Sequence, residues 1–156
     1  MEFLTTYEIP YLHPLMVHFP LVLIMLGAGT SAVWLFRNTD TWKYATYWFM
    51  GLGLIFGIAA KQTGETLEHG MEGEQAVELM VHAHEQGADG LLIVNLLTVL
   101  VLAALWWANR NPRWAHLAKG FSARLVVTIL AAICAVLVAY TAHLGGLMTW
   151  GVPVGS

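Results

Sequence analysis

The sequence predicts an all-α polytopic membrane protein: an antiparallel bundle of four transmembrane helices, with a short amphipathic helix on the outer side before the third span. Three observations carry this expectation. Apolar side chains make up 58% of the 156 residues and charged ones 11%, with a mean hydropathy of +0.64, which is too apolar for a soluble domain of this length. Four apolar stretches approach the length of a membrane span. The basic and acidic residues also segregate to opposite ends of those stretches, and the whole chain, 1–156, forms a single membrane domain.

A helix needs about 20 mainly apolar residues to cross roughly 30 Å of hydrocarbon, and the stretches at about 14–36, 44–60, 90–108 and 121–144 qualify. The first follows a leader with Glu2 and Glu8 but no Lys or Arg and runs to full span length, so it reads as a retained span and not a signal peptide. Pro14 suits a first helical turn, whereas Pro20 removes a backbone N–H and is expected to kink the entry. Span two carries Gly53, Gly57, Ala60 and Gly64 at three-to-four spacing, a small-residue stripe that lets another helix come close. The long connection from Lys61 to Asp89 is broken at Gly70 and Gly73. From Glu74 onward Val77, Met80, Val81, His84 and Ala88 recur at helical spacing, which predicts the amphipathic helix. Cys134, the single cysteine, lies mid-span among Ala and Ile as a small apolar filler.

Lys and Arg beside spans are held on the cytoplasmic side. Arg37 and Lys43 follow span one, and Arg110, Arg113, Lys119 and Arg124 follow span three, so six of the seven bases are inside and Lys61 alone is outside. Nine of the ten acids fall outside, Asp40 being the exception. Both termini are therefore expected on the outer side. The acidic face serves solubility or steers a cationic partner, such as a basic soluble electron carrier or a metal ion.

The histidines are the candidates for chemistry. Six of seven (His13, His18, His69, His82, His84 and His143) fall on the outer half, and only His116 sits in an inner turn. Ionisable groups at membrane depth are costly and mark sites by default, and imidazole is a ligand for haem iron, zinc and copper. His18 lies about one turn inside span one, and His143 about one turn inside span four, before Gly145-Gly146. These two sit at comparable depth, with His13, His84 and His69 as a shallower layer. Residues two apart on a helix face opposite ways, so His84 joins the inward stripe with Leu91 and Asn95, while His82 lies beside Glu78 and Glu85 as a solvated residue. Each has an ordinary alternative. His13 could touch headgroups, His143 could bond a carbonyl across the bundle, and Asn95 could bond a ligand or simply tie two helices together.

The run His13-Pro-Leu-Met-Val-His18-Phe-Pro-Leu, the Thr63-Gly64 pair, the His-bearing entry to span three and His143-Leu-Gly-Gly-Leu-Met-Thr-Trp-Gly151 together resemble an uncharacterised bacterial family of four-span membrane proteins, catalogued as a domain of unknown function. The likeness covers nearly the whole chain, and Thr149-Trp150 departs from the family's usual Val-Tyr. It implies fold and topology, a place in the bacterial inner membrane with periplasmic termini, and, from the redox neighbours of such proteins, electron transfer.

The expected function is that of a b-type cytochrome. One or two haems b would be held near the periplasmic face by His18, His143, His84 and His13, exchanging electrons with a basic periplasmic carrier or a quinol. A second reading is a porphyrin-free transition-metal site, for zinc, copper or iron, using those four residues with His69 and His82. A third is a structural anchor in a larger redox complex or a homo-oligomer, with the stripe from Gly53 to Gly64 as its interface. No nucleophile elbow, HExxH or phosphate loop is present, which points to an electron carrier or redox subunit and not a stand-alone enzyme. Nothing suits nucleic acid.

Overall fold

The computed structural model describes residues 12–68 and 75–150, with side chains over 12–64 and 79–148. Among the described residues there are helices and turns but no strand. The helices are α1 (His13–Met16), α2 (His18–Arg37), α3 (Asp40–Glu68), α4 (Gln75–Arg110), α5 (Ala115–Ala118) and α6 (Phe121–Trp150). Three helical stretches are long and apolar enough to cross a membrane by length and composition: His13–Arg37, Leu79–Arg110 and Phe121–Met148. The helix α3, which carries the expected span at 44–60, falls short in apolarity. Its glycines, its polar-tipped Tyr44, Tyr47 and Trp48, and the flanking Lys43 and Lys61 dilute the run.

The amphipathic helix expected on the outer side before the third span is the first part of α4, which runs from Gln75 into that span without a break; Glu74 lies outside the described residues. At 1.5 Å per residue the 36 residues of α4 extend about 54 Å, beyond the roughly 30 Å of hydrocarbon. The first span is broken once, at Val17 between α1 and α2. Pro20 has no N–H to give the carbonyl of Met16, so the helical ladder loses a rung there. Asn38 ends α2 in the left-handed conformation (φ 47°, ψ 43°), its N–H bonded to Trp34 O, and α3 begins at Asp40. In that turn the hydrogen bond from Lys43, and then its charge, hold the Asp40 carboxyl below the usual carboxylate range.

Packed residues run in opposite order along neighbouring helices. Ile24 meets Gly53 and Met50 meets Gly27 between α2 and α3, and Leu92 meets Gly57 between α3 and α4. Thr98 meets Cys134 and Gly87 meets Thr141 between α4 and α6, while Thr128 donates to Ser31 O between α6 and α2. The glycines permit this closeness. A Cβ at Gly53 would stand 2.8 Å from Ile24 Cγ1, and one at Gly57 would stand 2.9 Å from Leu92 Cδ2. The small-residue stripe is therefore filled from within the chain, by α2, α4 and His13, and does not face outward. Cys134 is fully buried in the core with Ile24, Met50, Val127 and Ala131.

Two polar core residues stand out. The Arg124 side chain is buried, and Nη1 donates to Trp34 O (3.3 Å), which also accepts from Asn38 N–H, and to Leu35 O (2.8 Å), both carbonyls of the last turn of α2. The guanidinium thus satisfies the α2 C-terminus and lies at its negative end. Asn95 is fully buried as expected, and neither atom of its amide has a hydrogen-bond partner among the described residues.

Two outcomes follow. Substituting Gly53→Val wedges Ile24 away and should destabilise the protein by about 1–3 kcal/mol, seen as a lowered thermal midpoint in detergent; an unchanged midpoint would refute the close approach. Replacing Asn95 by Leu removes an amide whose desolvation is uncompensated, so stability should hold or rise. A marked loss of stability would show that the amide is bonded in the folded protein.

Candidate histidine site

The six helices bring two histidines from opposite sides of the bundle into ring contact. His13 opens α1, and its Nδ1–H donates to Ala60 O of α3 at 2.9 Å, with Thr63 Oγ1 at 3.3 Å. His84, three turns before Asn95 on the inward face of α4, donates from Nδ1–H to Thr141 O of α6 at 2.9 Å. The ring centroids lie 6.4 Å apart with the planes 81° to each other. A carbonyl oxygen can only accept, so each neutral ring carries its proton on Nδ1 and keeps the Nε2 lone pair.

Small residues hold the two rings in place. A Cβ at Gly64 would stand 3.0 Å from His13 Cε1, and one at Gly145 would stand 3.3 Å from His84 Cε1. Thr63 donates its hydroxyl to Ala60 O at 2.9 Å, the oxygen that also receives His13. Ala60, Gly87 and Thr141 are buried around the pair, so its surroundings are short side chains and helix backbone. The Nδ1-to-carbonyl bond is also the outer-shell contact that fixes ring orientation in metal-bound histidines.

The other candidates sit elsewhere. His18 is exposed on α2, its Nδ1–H bonded to Pro14 O at 2.6 Å, and His143 is exposed on α6. The sequence expectation paired these two at depth; the structure turns both outward. The reason is helical phase, because His18 is two residues from buried Pro20 and His143 two from buried Thr141, and such residues face opposite ways. His82 is exposed and accepts a hydrogen bond from Gln86 Nε2 at 3.0 Å. His116 is exposed on α5 at the far, basic end, and His69 lies outside the described residues. Among the described residues no three His, Cys, Asp or Glu side chains converge as a metal-binding group. A groove of about 660 Å³ lies near the basic end, between α3 and α4, lined by Tyr44, Tyr47, Trp48, Val99 and Trp106, well away from the histidine pair.

Sequence reasoning missed Arg124 as a buried residue. Its signal was present: Arg124 is in helical register with the core positions Val127, Ala131, Cys134 and Val138. The tautomers of the pair are directly testable. Nitrogen-15 NMR of histidine-labelled protein above pH 8 should show His13 and His84 as Nδ1–H tautomers, with Gly145→Val shifting the His84 signals. Nε2–H forms at both would contradict the carbonyl bonds.

Over residues 9–156 the chain matches the model of a family described as "Predicted membrane protein (DUF2231)", a description that assigns no activity. No curated protein and no solved structure matches it. Apolar helices, contacts between antiparallel neighbours and a match over almost the full length lead to one assignment: the chain belongs to the DUF2231 family of predicted membrane proteins.

Proposed function

We propose that this protein is a membrane electron-transfer protein, a b-type cytochrome that holds haem between His13 and His84 near the outer face. In this reading all four long helices cross the bacterial inner membrane and both termini are periplasmic, as the distribution of Lys and Arg favours. The single observation that carries the reading is the opposed imidazole pair, each ring held by a helix carbonyl through Nδ1.

The donor set fits the group. With metal–nitrogen bonds near 2.0–2.1 Å and about 1.1 Å from ring nitrogen to ring centre, two imidazoles on opposite sides of one metal stand about 6.3 Å apart. Two ligands of a tetrahedral ion would stand about 5.2 Å apart. At 6.4 Å between ring centres, His13 and His84 are the residues that would hold the metal of such a group. Gly64 and Gly145 let α3 and α6 close directly on the two rings. A porphyrin-free tetrahedral site would need further ligands, and no third one joins the pair among the described residues.

A bound haem would supply one-electron exchange at its iron. The chain's own contribution is to orient two neutral imidazoles through Ala60 O and Thr141 O, to raise their basicity by those hydrogen bonds, and to surround them with apolar helix. The acidic residues of the same end favour a basic carrier as partner.

Purified protein from haem-replete cells should show a Soret band and a pyridine-haemochrome signal. Both should be lost in His13→Ala and His84→Ala and kept in His116→Ala, His18→Ala and His143→Ala. Absence of both signals in the unmodified protein would end the proposal, and bound metal without porphyrin absorbance would favour the bare-metal reading.

A further inference from the structure

The groove of about 660 Å³ at the basic end has the size of a small-molecule site, for which about 300–1,000 Å³ is usual. Leu92 seated on Gly57 closes the boundary between α3 and α4 toward the histidine end, and from Ile55 back to Tyr44 the two helices leave a slot between them. Along α3 that stretch is about 16 Å long, close to the roughly 15 Å that is half of the hydrocarbon core. The groove is therefore about one leaflet deep. Gly51 lies in its α3 wall. Where Gly53 and Gly57 receive Ile24 and Leu92, a Cβ at Gly51 would meet nothing within 4 Å, so no described part of the chain fills that place.

Charge at the head of the groove identifies its occupant. On α3, Lys43, Tyr47, Gly51 and Leu54 share one helical stripe, and on α4, Val99, Ala103, Trp106 and Arg110 share another. Each lining stripe thus ends in a cation. Ring contacts agree with this register: Arg110 Cζ lies 3.6 Å from the centroid of the Trp106 ring and Lys43 Nζ 4.6 Å from that of Tyr44, and both rings line the groove. Lys43 also pairs with the exposed Asp40, whereas Arg110 has no acid partner among the described residues. A guanidinium stacked on an indole keeps its N–H edge for a phosphate oxygen. An apolar slot one leaflet deep with cations at its head complements an anionic lipid, and basic pockets between spans bind such headgroups.

We propose that this groove is a binding site for one anionic phospholipid. An acyl chain lies past Gly51 between α3 and α4, and the phosphate sits at the head of the groove on Arg110, with Lys43 adding charge from the other wall. The site is separate from the histidine pair and requires no haem. An ordinary interfacial belt of Tyr and Trp accepts any lipid, whereas this site needs both a negative headgroup and the open space at Gly51.

Native mass spectrometry of the full-length protein released from detergent tests both needs, with phosphatidylglycerol and phosphatidylcholine of the same acyl chains as probes. The first phosphatidylglycerol should bind at least about fivefold more tightly than the first phosphatidylcholine, and Arg110→Gln should remove about that factor. Arg110→Lys should restore part of the loss. Gly51→Leu fills the slot and should also weaken phosphatidylglycerol binding, while Gly90→Leu, equally free of neighbours but outside the groove, should leave it unchanged. Equal affinity for the two lipids, or an unchanged affinity in Arg110→Gln, overturns the proposal. A loss in Arg110→Gln with none in Gly51→Leu means that headgroups merely adhere to the basic end, which overturns it too. So does a dimer without lipid that Gly51→Leu dissociates, since the occupant is then a second copy of the chain.

Discussion

Helices in lipid gain little from apolar contact with each other, because the lipid tails are as apolar as Leu, so they associate where their surfaces can come close. In this protein that closeness depends on glycine. Ile24 rests on Gly53, Leu92 on Gly57 and Met50 on Gly27, and no side chain could stand in those places without displacing a neighbour. The same device continues to the end of the bundle, where the knobs change from aliphatic to imidazole: His13 rests on Gly64 and His84 rests beside Gly145. The histidine pair is thus the last layer of one packing pattern, held at the height where helix carbonyls can still be reached.

The two ends of the bundle solve opposite electrostatic problems. At the basic end a buried guanidinium, Arg124, serves the carbonyls at the negative pole of α2, so among the described residues the charge is offset by backbone. At the histidine end, neutral rings use backbone carbonyls of α3 and α6 as acceptors, leaving each Nε2 unprotonated. Between them Asn95 is the one core amide with no partner among the described residues. Its burial is costly unless something beyond the chain bonds it.

Much of this was legible in the sequence, for physical reasons that also explain what was not. Four helical runs could be read from apolar length. The inward phase of His84 and Asn95 followed from the 3.6-residue repeat, and the close approach at Gly53, Gly57 and Gly64 from small-residue spacing. The same repeat turns His18, two residues from Pro20, and His143, two residues from Thr141, outward, because depth along a helix does not give phase. The role of Arg124 was hidden because its acceptors, the α2 terminal carbonyls, are nearly ninety residues away in sequence. The shortfall of α3 in apolarity arises from aromatic residues with polar tips, which count as hydrophobic in a coarse reading but carry hydroxyl and indole N–H groups.

Under the proposed function His13 and His84, with planes 81° to each other, would together hold one flat cofactor. A low-spin ferric haem held by two imidazoles crossed in this way would have widely spread g values. Low-temperature electron paramagnetic resonance of the oxidised protein tests this directly. A highly anisotropic low-spin signal that disappears in His84→Ala is the predicted result. A high-spin haem, a low-spin signal that survives that substitution, or no haem signal at all would contradict it.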